Sequence, residues 1–216
     1  MSRRLPARVF HLAEVGNLPS IRRHGLLSAI RLLALAGVPE EERERRSRTH
    51  RPERERLSDG VVVRDQKPMP PALLERCLVG TTPAEWYALL NAKVFFWCDD
   101  ARLGRLAETY RGIPLAVLAV DTAGLLARHA ARAAVTPINT GNARPFKGHA
   151  AAPRGRATFV PYATWLESGW AGERAGLGLP PRATAPKPAE LVVDDAVPDV
   201  MDLVVELRPL EGGDVP

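Results

Sequence analysis

Apolar and polar positions alternate over Arg8-Val-Phe-His-Leu12, the period-two pattern of a short strand with one buried face. Asn17-Leu-Pro-Ser reads as a helix start, Ile21 and His24 continue that short helix, and Gly25 ends it as a left-handed cap. Leu26 to Ala36 has the spacing of a second helix, closed by Gly37 and Pro39. Gly60 to Arg64 is expected as a strand, followed by a loop over 65–70 and a helix through Leu78. Thr82-Pro-Ala-Glu85 places a capping threonine, a first-turn proline and a glutamate for a capping box, predicting a helix to Asn91 with Trp86, Tyr87, Leu89 and Leu90 inward. Lys93 to Cys98 is dominated by apolar and aromatic residues, the pattern of a central strand. Asp99 caps an expected helix from Ala101 to Tyr110, Leu115 to Val120 is a second buried strand, and Thr122 to Ala131 is a short helix. Beyond Val135 the pattern weakens. Thr136 to Gly141 is strand or turn, 143–156 an irregular loop, Thr158 to Pro161 strand-like, and 167–188 a Gly/Pro-rich surface connection. Glu190 to Val193 and Leu203 to Leu207 supply the last strands.

Strands interrupted by helices, loops and antiparallel-looking turns predict one α+β domain over residues 1–216, with mixed sheets and peripheral helices. No GxGxxG, GxxxxGK[ST], HExxH or GxSxG motif is present, which disfavours the common nucleotide and hydrolase scaffolds. The run from Pro39 to Ser58 holds seven arginines and six glutamates and cannot pack a core of its own. It reads as a solvated helix held by Glu/Arg pairs, a mobile loop, or a nucleic-acid contact, with the solvated or mobile readings favoured because the charges nearly cancel.

Charge changes this picture more than composition does. The net charge of +5 conceals an acidic end, since residues 1–189 carry 29 basic against 17 acidic groups. That surplus attracts phosphates, in a nucleotide or in a nucleic acid; arginine-rich genome composition explains it equally well. No apolar run approaches the roughly 20 residues of a membrane span, so a cytoplasmic address is expected. Cys77 and Cys98 are too few for a disulfide framework and lack the spacing of a zinc site, so no metal is expected.

His11, Arg64, Asn91, Asn139 and Glu190 stand out as polar groups inside apolar strands or at their ends. Each needs a partner or a ligand, because an unpaired buried charge is costly. Each also has a mundane reading: His11 held by a backbone carbonyl, Arg64 in a structural ion pair, Asn91 at a helix end, Asn139 in a turn.

Phe10-His11-Leu12 through Asn17-Leu-Pro-Ser-Ile21 to Gly25-Leu-Leu resembles the opening of the DarT family, nucleic-acid-modifying ADP-ribosyltransferase toxins. Ala189-Glu190-Leu-Val-Val, with Val197-Pro198 a few residues on, is similar to the strand that carries the catalytic glutamate in that family. Val63-Arg-Asp-Gln66, Asn91 to Trp97, Pro137 to Gly141 and Arg154-Gly-Arg-Ala-Thr-Phe159 are similar to an uncharacterised bacterial family sharing this fold. The resemblance implies an ADP-ribosyltransferase-like fold around a central cleft, with NAD as substrate and nucleic acid as acceptor. It implies that His11 bonds the adenosine or ribose hydroxyls, that Asn17 and Leu18 help seat the nicotinamide half, and that Arg64 faces phosphate or the reacting ribose. Glu190 would hold the ribose 2′-hydroxyl and act on the incoming nucleophile. Phe96 and Trp97 are candidates to stack on a ring, with core packing the stronger reading, and Asn139 is a further candidate cleft contact. A non-catalytic nucleotide or nucleic-acid-binding module of the same fold is the competing reading. Transfer involving an RNA 2′-phosphate ranks behind both, since its further paired histidine and arginine motifs are missing.

Overall fold

Leu115–Asp121 (β6) is buried along six of its seven residues, which requires a strand on each side and a layer on each face. In the computed structural model, which describes residues 3–101, 103, 110, 112–145 and 148–210, β6 lies between Arg8–Glu14 (β1) and Val204–Pro209 (β11). Lys93–Trp97 (β5), Glu190–Asp194 (β9), Ala133–Thr136 (β7) and Val160–Pro161 (β8) continue the sheet, in the order β11-β6-β1-β5-β9-β7-β8. Every pairing in this seven-stranded sheet is antiparallel, so the expected mixed sheet is replaced by an antiparallel one. Two small ribbons stand beside it: Leu26–Leu27 (β2) with Ala196–Val197 (β10), and Glu55–Arg56 (β3) with Val62–Val63 (β4).

The largest apolar cluster joins Val9, Val94, Phe96, Leu118, Val120, Leu191 and Val193 from the sheet with Leu18, Ile21, Leu125, Trp165 and Leu203 from helices packed on it. Those helices are Leu18–His24 (α1), Thr122–His129, Tyr162–Ser168 and Val200–Leu203. The helix Pro83–Asn91 has the anticipated capping box between Thr82 and Glu85, and it buries Trp86 and Tyr87 in a second cluster.

Two segments differ from the sequence expectation, and a third takes in part the solvated-helix form among its expected alternatives. Leu26 and Leu27 pair with Val197 and Ala196, and the helix begins only at Ala29, capped by Ser28. Two residues near the other end of the chain thus override helical spacing. The segment 167–188 contains the helix Ala171–Gly176, with Trp170, Leu177 and Glu173 buried and Glu173 paired to Arg182 at 2.9 Å. The charged run 39–58 forms the helix Glu40–Ser47, with Arg45–Glu42 and Arg48–Glu44 pairs on its surface, and then turns back to form β3. The expected helix 101–110 lies largely outside the described residues; Asp99 Oδ1 accepts from the Ala101 amide at its start.

Gly25 fixes where α1 hands over to β2. Its φ is 72°, and a Cβ there would meet the Val197 carbonyl oxygen at 2.3 Å, so only glycine lets the ribbon close.

Candidate functional site

β1 pairs with β6 along all seven of its residues but meets β5 at the single pair Phe10–Trp97. Beyond that pair the two central strands part. A cavity of about 470 Å³ opens beside them, of a size suited to a small ligand, bounded by β1, α1, β4, β5 and the turn after β7.

His11 bridges the two strands where their backbones no longer pair. Its Nδ1 lies 2.9 Å from the Phe95 carbonyl oxygen. A carbonyl only accepts, so Nδ1 carries the proton and Nε2 keeps a lone pair. Burial pushes the His11 pKa down to about 4, opposed by the Phe95 hydrogen bond and aided by the Arg64 charge. The ring is therefore neutral at ordinary pH and offers one acceptor, suited to a ligand hydroxyl. The backbone-carbonyl reading of His11 and its place in the cleft hold together.

The Trp97–Glu190 and Glu190–Thr136 pairs put Glu190 in line with Phe10 across the sheet, two strand spacings or about 10 Å away. Glu190 is 4% exposed and lines the cleft. Its Oε2 accepts from the Thr140 hydroxyl at 2.8 Å, and both carboxylate oxygens lie 3.2 Å from the Thr140 amide. The Thr136 hydroxyl stands 2.9 Å from Oε2 and 2.8 Å from the Ile138 carbonyl oxygen, so its single proton is shared between two acceptors. Thr140 sits in a tight turn closed by Asn139 Oδ1, which accepts from the Gly141 amide at 2.9 Å. Asn139 lines the cleft, and its side-chain oxygen serves this turn.

Arg64 follows β4, and its guanidinium carbon lies 4.3 Å from the centre of the Tyr110 ring, a cation–π contact. Among the described residues no carboxylate forms an ion pair with it, so the structural ion-pair reading is not what holds it. Asn17 also lines the cleft, but its carboxamide is spent on backbone. Nδ2 donates to the Val62 carbonyl and Oδ1 accepts from the Val62 amide, both at 2.8 Å. Asn17 is thus a side chain acting as a strand partner, which leaves α1 without a side-chain cap. Leu18 is 2% exposed, belongs to the main core and does not line the cleft. Phe96 borders the cleft but is fully buried, packed T-shaped against His11 with ring centroids 5.9 Å apart. Trp97 lines the cleft and packs with Phe10 and Leu12.

Thr136, Thr140, Arg154, Arg51 and Gln66 were not singled out as chemistry-bearing by sequence. Arg154 is 2% exposed and donates from Nη1 to the Thr140 carbonyl at 3.2 Å and from Nε to the Ala152 carbonyl at 3.1 Å. Burial lowers its pKa, opposed by the neighbouring Cys77 and Glu190. Arg51 donates from Nε to the Arg64 carbonyl at 2.6 Å and from Nη2 to Asn91 Oδ1 at 3.3 Å, with Gln66 donating to the same Asn91 oxygen at 3.3 Å. Asn91 donates in turn to the Ser47 carbonyl at 2.8 Å, which ties the charged segment to the cleft floor. Arg51 carries no mark among the seven arginines of the charged run, and the one signal at Arg154 was the glycine that follows it, whose Cβ would strike the Val79 carbonyl oxygen at 2.4 Å.

Among the described residues no group of three or more His, Cys, Asp or Glu could hold a metal ion, and no helix is long and apolar enough to cross a membrane. Residues 7–204 match a family of unknown function (DUF7002), and the chain belongs to that family. No curated protein and no solved structure matches it.

Proposed function

We propose that this member of the DUF7002 family is an NAD-dependent ADP-ribosyltransferase with an ADP-ribosyltransferase-like fold, and that nucleic acid is its acceptor. The observation that carries the reading is the convergence of His11, Arg64 and Glu190, remote in sequence, on one cleft of about 470 Å³. The residues fit the substrate. Neutral His11 presents Nε2 to a sugar hydroxyl, Arg64 supplies positive charge for phosphate, and Glu190 is a rigidly held carboxylate beside the space between them.

In the transfer, the bond from ribose C1 to nicotinamide breaks with its electron pair leaving on the nicotinamide nitrogen. A bond forms from an acceptor nucleophile to C1, and Glu190 takes the acceptor's proton. The positive charge that develops on the ribose is stabilised by the same carboxylate, a few ångströms away in a site partly closed to water. The basic surplus of residues 1–189 favours a polyanionic acceptor.

The second reading, a nucleotide-binding module without chemistry, draws on the same carboxylate. Two hydroxyls and an amide surround Glu190, an arrangement that equally suits a brace for the 136–141 turn. Incubation with NAD and mixed DNA and RNA, followed by nicotinamide release and mass measurement of each species, separates the two. The transferase releases nicotinamide and adds an ADP-ribosyl mass to an acceptor, and Glu190→Gln removes both while the circular dichroism spectrum is unchanged. Unchanged turnover in Glu190→Gln, or binding with no nicotinamide release by the natural protein, rejects it.

A further inference from the structure

The cleft lining shows an asymmetry in how its charges are met. Glu14 Oε2 is 3.3 Å from Arg54 Nη1, Asp65 Oδ1 accepts from the Lys67 amide at 3.1 Å, and Glu190 is held by Thr136 and Thr140. Lys93 pairs with Asp194. Three lining guanidinium groups, Arg51, Arg64 and Arg144, form no ion pair with a carboxylate among the described residues. Positive charge concentrated in a partly buried cleft is costly unless an anion arrives to meet it.

We infer that Arg51 and Arg64 form the seat for a pyrophosphate group, so that the cleft takes a nucleoside diphosphate moiety by its two phosphates, with Arg144 at the mouth. The inference rests on the nucleotide reading of the cleft and adds to it a residue, Arg51, and a ligand group. The two arginines are joined through backbone: Arg51 Nε donates to the Arg64 carbonyl, and the Arg51 amide donates to Gln66 Oε1 at 3.1 Å while its carbonyl accepts from the Gln66 amide at 2.6 Å. Asn91 takes Nη2 of Arg51, which fixes the plane of that guanidinium. These bonds position the group without neutralising it. Burial lowers its pKa to about 10, opposed through space by the Glu55 charge, aided by Arg46, and opposed also by Asp65. Arg51 is therefore still a cation at neutral pH, half-buried on the cleft wall and already oriented.

Two planar forks suit two adjacent phosphoryl groups, since each can give paired N–H donors to one phosphate. A nucleic-acid backbone is the weaker fit, because its phosphates run over exposed surface and Arg51 lies inside a cavity sized for a small molecule.

Calorimetric titration with ADP, adenosine and a single-stranded decanucleotide tests this by binding alone, so a protein that releases no nicotinamide can still satisfy it. The expected result is ADP binding about tenfold or more tighter than adenosine, with Arg51→Met weakening ADP by about tenfold and adenosine by less than about twofold. Arg51→Lys, which keeps the charge and loses the fork, is expected between the two. If Arg51→Met fails to fold by circular dichroism, Arg51→Lys and Arg64→Met are judged by the same selective loss for ADP. Absence of ADP binding, equal affinity for ADP and adenosine, or an equal loss for both in the variants overturns the inference. So does tighter binding of the decanucleotide that Arg51→Met removes, which would make the arginines a phosphodiester contact.

Discussion

Arg154 and Glu190 are buried on opposite sides of one residue, Thr140: the arginine donates to the Thr140 carbonyl at 3.2 Å, and the Thr140 hydroxyl donates to the glutamate at 2.8 Å. The backbone of Thr140 thus lies between a buried cation and a buried carboxylate, its carbonyl bonded to one and its amide to the other. That orientation follows from the charges, since each end of the residue faces the group that stabilises it.

Replacing Arg154 with Met removes the donor from a buried carbonyl and is expected to lower unfolding stability by about 2–4 kcal/mol. Arg154→Lys, which can still reach one carbonyl, should recover part of that loss. Urea unfolding gives the energies. Hydrogen exchange of the Thr140 amide gives the local effect, which should be an early loss of protection in the Met variant, with the amides of β6 unchanged.

His11 makes stability depend on pH in a defined direction. Its folded pKa of about 4 lies below the ordinary 6.5, so the native state resists the proton that the unfolded chain accepts. The stability contributed by neutral His11 is complete above pH 6.5, declines as the pH falls and is lost near pH 4. The loss is on the order of 2 kcal/mol, allowing for partial solvent screening. Urea midpoints at several pH values in that window should fall in the natural protein and fall less steeply in His11→Gln. Arg64→Met should raise the His11 midpoint in an NMR titration, because the Arg64 charge is one of the causes of the depression.

Asn17 should behave as a structural residue. Asn17→Ala leaves the Val62 amide and carbonyl without their partners and is expected to cost about 1–3 kcal/mol of stability. Nucleotide affinity below the unfolding temperature should change by less than about twofold, because both ends of the carboxamide are held in place by the Val62 backbone. Loss of affinity with stability intact would show that the side chain leaves Val62 to meet the ligand.

The strands were legible where burial alone decides them. Lys93 to Trp97 and Leu115 to Val120 form where their apolar runs predict, and the Thr82–Glu85 signature forms its capping box. Legibility failed where a distant segment decides. Leu26 and Leu27 fit a helix until Ala196 and Val197 arrive to pair with them. Asn17 has the residue type and position of a cap, yet Val62 offers it two bonds where the helix offers one. His11, Arg64 and Glu190 could be found because they are polar residues in apolar surroundings. Arg51 could not, since one arginine among seven in a polar run carries no mark until Asn91 and the Arg64 carbonyl close around it.

The parting of β1 from β5 also bears on what substitution can and cannot change. A cavity bounded by side chains closes when one rotamer swings or one residue grows. This one begins where two main chains diverge after Phe10–Trp97, each committed to a different neighbour: β1 to β6 over seven pairs, β5 to β9 over five. Exchanging a lining residue therefore alters what is held there without re-pairing the two strands whose parting begins the opening.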